Sequence, residues 1–183
     1  MSPSNSYNSL NGRKFQNSVQ AIFNNLFNTS FEQEVAIPIG TPPKDHKFDL
    51  ANSDRSVVVE CKNYRWTKSG NVPSAKLTGL DEAVFYFNFL PKEHTKKILC
   101  IKECIHQEKQ ETLAHYFVRM HGHLLGDVCV FEISNNGDVY SYELSKDGNV
   151  LKKEKDFKVA ESLYIQTVGC LPLITNPDYI LGW

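Results

Sequence analysis

The apolar positions of this chain fall into runs whose spacing switches from helical to extended and back. Between Gly12 and Phe27, Phe15, Val19, Ile22, Phe23 and Leu26 recur at helical intervals, which predicts an amphipathic first helix. Residues 1–11 before it are rich in Ser and Asn and read as a flexible N-terminal arm. From Thr29 to Ile39, Phe31, Val35, Ile37 and Ile39 fall on alternate positions, and Gly40 with Pro42-Pro43 closes this strand. Two further strands, His46–Ala51 and Ser56–Tyr64, flank the turn-forming Asn52-Ser53-Asp54 and read as an antiparallel pair. The block Val57-Val58-Val59 is β-branched and continuously apolar, which places its strand near a sheet centre, buried on both faces.

Downstream, a polar loop over Trp66–Ser74 leads into a helix over Ala75–Leu90 that Pro91 ends. Lys97–Ile101 then reads as a buried strand, Glu108–Leu125 as a helix and Asp127–Ile133 as a strand. Strand alternating with helix predicts parallel pairing. A hairpin is expected around Lys146-Asp147-Gly148-Asn149, and the pattern after it assigns no element. The expected fold is α/β: a central mixed β-sheet of about four or five core strands flanked by helices, with a C-terminal β-hairpin extension. Residues 12–183 read as a single domain with its core over about 12–133.

Composition narrows the class. With 41% hydrophobic and 22% charged residues, the chain is neither disordered nor fibrous. The formal net charge of −1 lacks the basic excess of a typical nucleic-acid binder. Net charge does not record whether the basic residues gather on one face. Cys61, Cys100, Cys104, Cys129 and Cys170 are odd in number and mostly lie in apolar runs, as reduced cytoplasmic thiols do. A metal cluster on Cys100, Cys104 and His106 would lack a second Cys-x-x-Cys half. The polar Met1–Asn11 stretch and the lack of a long apolar run predict a cytoplasmic protein with no membrane span.

The candidate chemistry lies on the two paired strands. Asp49 is followed eleven positions later by Glu60-Cys61-Lys62, where alternation puts Glu60 and Lys62 on one face and Cys61 on the other. If the strands are neighbours, Asp49, Glu60 and Lys62 converge. Two carboxylates with phosphate oxygens suit hard, octahedral Mg²⁺, and a nearby ammonium stabilises charge that develops on a phosphoryl group. A Glu-x-Lys pair can also be a structural salt bridge. Its place directly after Val57-Val58-Val59 favours function, since a central strand buries charge at considerable cost.

Asp49, Glu60-Cys61-Lys62 after an apolar strand, and a helix opening Gly12-Arg13-Lys14-Phe15 together resemble the PD-(D/E)xK nuclease superfamily. That superfamily includes type II restriction endonucleases, Holliday junction resolvases and repair nucleases. The resemblance covers about Gly12 to Val130 and implies a restriction-endonuclease-like core and Mg²⁺-dependent DNA endonuclease activity, with Mn²⁺ a possible substitute. It implies Asp49 and Glu60 as metal ligands, the Cys61 backbone carbonyl as a further ligand, and Lys62 as the catalytic lysine. Phe48 replaces the name-giving proline, a tolerated variation. Gln16 stands where many members carry a glutamate, and an amide can hydrogen-bond a metal-bound water but adds no charge. Glu32 or Glu34 could supply the missing carboxylate.

Asn63, Arg65 and Lys76 are candidate DNA contacts, and Tyr64 or Trp66 could stack on a base or simply pack. His121 and His123 fit a polar helix terminus better than a metal pair. The serines show no nucleophile elbow. The expected partner is DNA, with no small-molecule cofactor. A type II restriction-type enzyme would be a homodimer, because cutting both strands with one site per chain needs two sites related by a two-fold axis. The alternatives are a structure-selective junction resolvase or nickase, and a catalytically inactive DNA-binding module of the same fold.

Overall fold

The computed structural model describes residues 5–67, 69–91 and 95–155. In chain order the elements are α1 (Asn5–Leu26), β1 (Phe31–Ile39), β2 (Lys44–Asn52), β3 (Val57–Lys62), α2 (Ser74–Phe87), β4 (Lys96–Lys102), α3 (Leu113–His121), β5 (Val128–Ile133), β6 (Val139–Leu144) and β7 (Val150–Lys155). The strands form one seven-stranded sheet in sequential order. β3, β4 and β5 run parallel and the remaining pairs are antiparallel. The fold is therefore α/β, a mixed sheet flanked by three helices.

Both crossovers, β3-α2-β4 and β4-α3-β5, step the same way across the sheet. Crossovers of one hand stepping one way put both helices on one face. Phe48, Val58, Leu99, Ile101 and Val130 are buried there against α2 and α3. The opposite face is covered by α1, whose Phe15, Val19, Phe23 and Leu26 bury Leu50, Val59, Ile98 and Phe131. Val57 and Val59 face α1 while Val58 faces α2, so the valine block is buried on both sides. Cys100 and Cys129 are buried thiols beneath α1. Cys170 lies outside the described residues. Among the described residues, no helix is long and apolar enough to cross a membrane.

Two helix starts differ from expectation. The arm expected over residues 1–11 is helical from Asn5 onward. Once packing has nucleated a helix, each added residue gains a hydrogen bond, and Asn63 Nδ2 donates to the Asn11 carbonyl at 3.1 Å, tying this first part to the end of β3. The hairpin expected around Lys146-Asp147-Gly148-Asn149 is present, joining β6 to β7, and it extends the same sheet. The helix expected from Glu108 begins only at Leu113. His106 Nδ1 captures the N–H groups of Glu108 and Lys109, Gln110 takes a left-handed φ of 52°, and Thr112 caps α3 by accepting from the His115 N–H at 3.1 Å. Replacing Thr112 with alanine is expected to lower stability by about 1 kcal/mol, read as a lower urea midpoint at unchanged slope.

His106 and His121 make structural contacts. His106 Nε2 contacts the Gly70 carbonyl at 2.7 Å, which joins two loops. His121 Nδ1 meets Asp81 Oδ1 at 2.8 Å and its ring stacks on Phe117, bracing α3 against α2.

Candidate active site

β2 and β3 pair only through Leu50–Val59 and Ala51–Val58. β2 nevertheless stays paired with β1 as far as Lys44, and β3 with β4 as far as Lys62. The two strands therefore part beyond Leu50 and Val59, opening a notch whose first residues are Asp49 and Glu60. Alternation along β2 slips here, because Phe48 faces α2 while Leu50 faces α1. Glu34, opposite Asp49 on β1, takes a left-handed φ of 54°, uncommon for a residue with a side chain. Glu32 and Glu34 are exposed on that outer strand.

The Asp49 carboxylate stands in for a missing ladder partner: Oδ2 accepts the Cys61 N–H at 2.7 Å. Gln16 of α1, itself buried, donates from Nε2 to the Asp49 backbone carbonyl at 2.7 Å. Asp49 is thus fixed from both layers. Glu60 is 5% exposed, and its Oε2 lies 3.2 Å from Lys62 Nζ. Asp49 lies close enough to Glu60 for its charge to raise the Glu60 carboxyl. Asp49, Glu60 and Lys62 therefore do converge.

Burial pushes the Glu60 carboxyl up to about 8, with Asp49 adding to the rise and Lys62 opposing it. Burial alone would depress Lys62, but the charges of Glu60, Tyr64 and Asp49 outweigh it and hold the ammonium above the ordinary lysine value. At neutral pH without a cation, burial keeps Glu60 protonated. A divalent cation would replace that proton, which fits the donor set of two hard carboxylates. Among the described residues no group of three or more His, Cys, Asp and Glu is placed to hold a metal ion. Mg²⁺ can bind through one or two carboxylates, filling its octahedron with water and substrate phosphate.

Gln16 acts on the site through Asp49. Its amide is spent on a backbone carbonyl, so Gln16→Ala is expected to weaken Mg²⁺ binding about 10- to 100-fold, the usual cost of losing an orienting partner. Gln16→Glu should behave the same way in a Mg²⁺ titration, because a carboxylate cannot donate to that carbonyl.

The other predicted residues separate. Cys61 points its side chain to the α1 face, where burial pushes the thiol well up. Lys76 Nζ donates to the Arg65 carbonyl at 2.9 Å and so braces the loop after β3. Trp66 packs edge-on against Tyr116 and donates to the Cys104 carbonyl at 2.9 Å. Tyr64 packs against α2, where a Cβ on Gly79 would sit 2.6 Å from its hydroxyl. Of the four residues following Lys62, only Arg65 is exposed.

Sequence reading missed His46. Its ring stacks on Tyr86 at 3.9 Å and stands edge-on to Phe48, with Nε2 3.5 Å from Glu60 Oε1. That nitrogen is buried and has no hydrogen-bond partner among the described residues. Burial and then Lys62 lower the imidazole pKa, with Glu82 and Asp49 partly offsetting them, so the ring is neutral at pH 7. The available signal was alternation, which puts His46 and Phe48 on one face of β2. Comparison of the chain with models of known protein families, with curated proteins and with solved structures finds no match.

Proposed function

We propose that the notch between β2 and β3 is the active site of a Mg²⁺-dependent DNA endonuclease of the PD-(D/E)xK type. The observation that carries this reading is the convergence of two carboxylates and an ammonium at the point where the central strands part, with Glu60 buried beside Asp49. The order helix, three strands, helix, strand, helix, strand also supports a restriction-endonuclease-like core.

Bound Mg²⁺ would supply Lewis acidity and a water acidified enough to attack phosphorus at neutral pH. Asp49 and Glu60 would hold it, with the Cys61 carbonyl as a further oxygen donor. Lys62 keeps its proton and stabilises the negative charge that builds on the phosphoryl oxygens. Gln16 fixes the backbone of Asp49, and the neutral His46 limits the space open to the Glu60 carboxylate.

A type II restriction-type enzyme is the first choice, acting as a homodimer that presents one site to each strand. Incubation with supercoiled plasmid, a four-way DNA junction and RNA, each with Mg²⁺, tests the substrate. Discrete plasmid fragments are expected. Preference for the junction would reassign the protein as a structure-selective nuclease. No cleavage of any of the three would leave only a binding module.

A further inference from the structure

Parallel sheets bind ligands in the crevice outside the carboxyl ends of their strands. β3, β4 and β5 end side by side, and a cleft of about 350 Å³ opens there between α1 and the β5–β6 turn. Lys14 of α1, Arg65 beyond β3 and Lys102 at the end of β4 line it, with Asn63, Asn135 and Asn136. Among the described residues no carboxylate lines this cleft, although the chain as a whole carries 20 Lys and Arg against 21 Asp and Glu. Lys14, Arg65 and Lys102 make no ion pair among the described residues. Glu103, next in sequence to Lys102, is occupied by the N–H and Nδ2 of Asn135, both at 3.2 Å.

The cleft is built rather than incidental. Lys76 anchors the backbone of Arg65 while leaving its side chain exposed, and Asn63 is tied to α1 through the Asn11 carbonyl. Its position relative to the notch is set by register. Lys62 lies beside Ile101 on the α2 face, whereas the next residue of β4, Lys102, lies on the α1 face beside Ile133.

We propose that this cleft seats the sugar–phosphate backbone of the substrate DNA beside the notch, at the carboxyl ends of β3, β4 and β5, with Lys14, Arg65 and Lys102 as its phosphate contacts. The choice of ligand rests on the nuclease reading, but the cleft shares no residue with Asp49, Glu60 and Lys62. Gathering cations here supplies the one-sided electrostatics that a net charge of −1 conceals.

The test is binding of a fluorescent DNA duplex by anisotropy in EDTA, across a salt series. The wild type is compared with a Lys14→Ala, Arg65→Ala, Lys102→Ala triple variant and with a Lys44→Ala, Lys109→Ala, Lys146→Ala control of equal charge. The cleft variant should bind at least about tenfold more weakly, with a salt slope shallower by about 0.9 per lost phosphate contact. The control should stay within about twofold of wild type. Lysine acetylation of the wild-type protein provides a second readout that needs no variant: DNA should protect Lys14 and Lys102. Wild-type binding by the cleft variant, an equal loss in the control, no protection of Lys14 and Lys102, or no DNA binding at all would each overturn the proposal. Mg²⁺-dependent cleavage by a protein that fails this test would leave the nuclease reading standing. Cleft binding without cleavage would overturn the nuclease reading alone.

Discussion

Glu60→Gln should abolish DNA cleavage and at the same time stabilise the metal-free protein at alkaline pH. Metal-ion stabilisation of a phosphoryl transition state is worth several kcal/mol, so losing a ligand should cost about a thousandfold or more in rate. The stability gain follows from burial. In the folded protein Glu60 releases its proton at about 8, against an ordinary value of 4.5. Between those values the native state holds a proton that the unfolded chain has given up, so stability falls as pH rises through the window and levels off above it. The amide of glutamine has no such proton to lose. Chemical denaturation of the metal-free proteins should therefore show wild type losing stability relative to Glu60→Gln between pH 5 and 8, with the difference levelling off above that. Mg²⁺ should reverse the order, because it binds and stabilises only the folded wild type. Its affinity should rise about tenfold per pH unit below about 8, since each cation bound displaces the Glu60 proton.

Lys62→Met should separate chemistry from metal binding. The ammonium lies 3.2 Å from Glu60 Oε2 and is held protonated by the carboxylates around it. In the proposed mechanism it adds to the transition state rather than to the metal's coordination sphere, so its removal should lower the single-turnover rate about 100- to 1000-fold. Mg²⁺ should still bind, and Mn²⁺ titration followed by electron paramagnetic resonance reads this without any turnover. Loss of metal binding together with activity would reassign Lys62 as a structural counter-ion. Methionine keeps the length of the buried stem, so packing against the sheet is preserved.

The parts of this fold that follow from local patterns were legible. Val57-Val58-Val59 could be read as a central strand because β-branched residues without a polar alternate have no solvent face to turn outward. The convergence of Asp49, Glu60 and Lys62 followed from alternation plus one turn. What could not be read was the parting of β2 from β3. It depends on β1 holding one strand and β4 the other, a competition between pairings far apart in sequence. The same non-locality hid the cleft, whose residues come from α1, the loop after β3, β4 and the β5–β6 turn. The late start of α3 was missed for a different reason: His106 draws the N–H groups of Glu108 and Lys109 into a loop, and no helical periodicity records that. Likewise, the Ser- and Asn-rich composition of residues 1–11 argued for an arm, yet a tertiary contact at Asn11 holds helix there.

The assignment of the notch is tested most directly by single-turnover cleavage of an end-labelled DNA substrate. Three reactions suffice: wild type with Mg²⁺, wild type with EDTA, and Glu60→Gln with Mg²⁺. Cleavage is predicted in the first alone. Cleavage that persists in EDTA or in Glu60→Gln contradicts the assignment, as does its absence from all three.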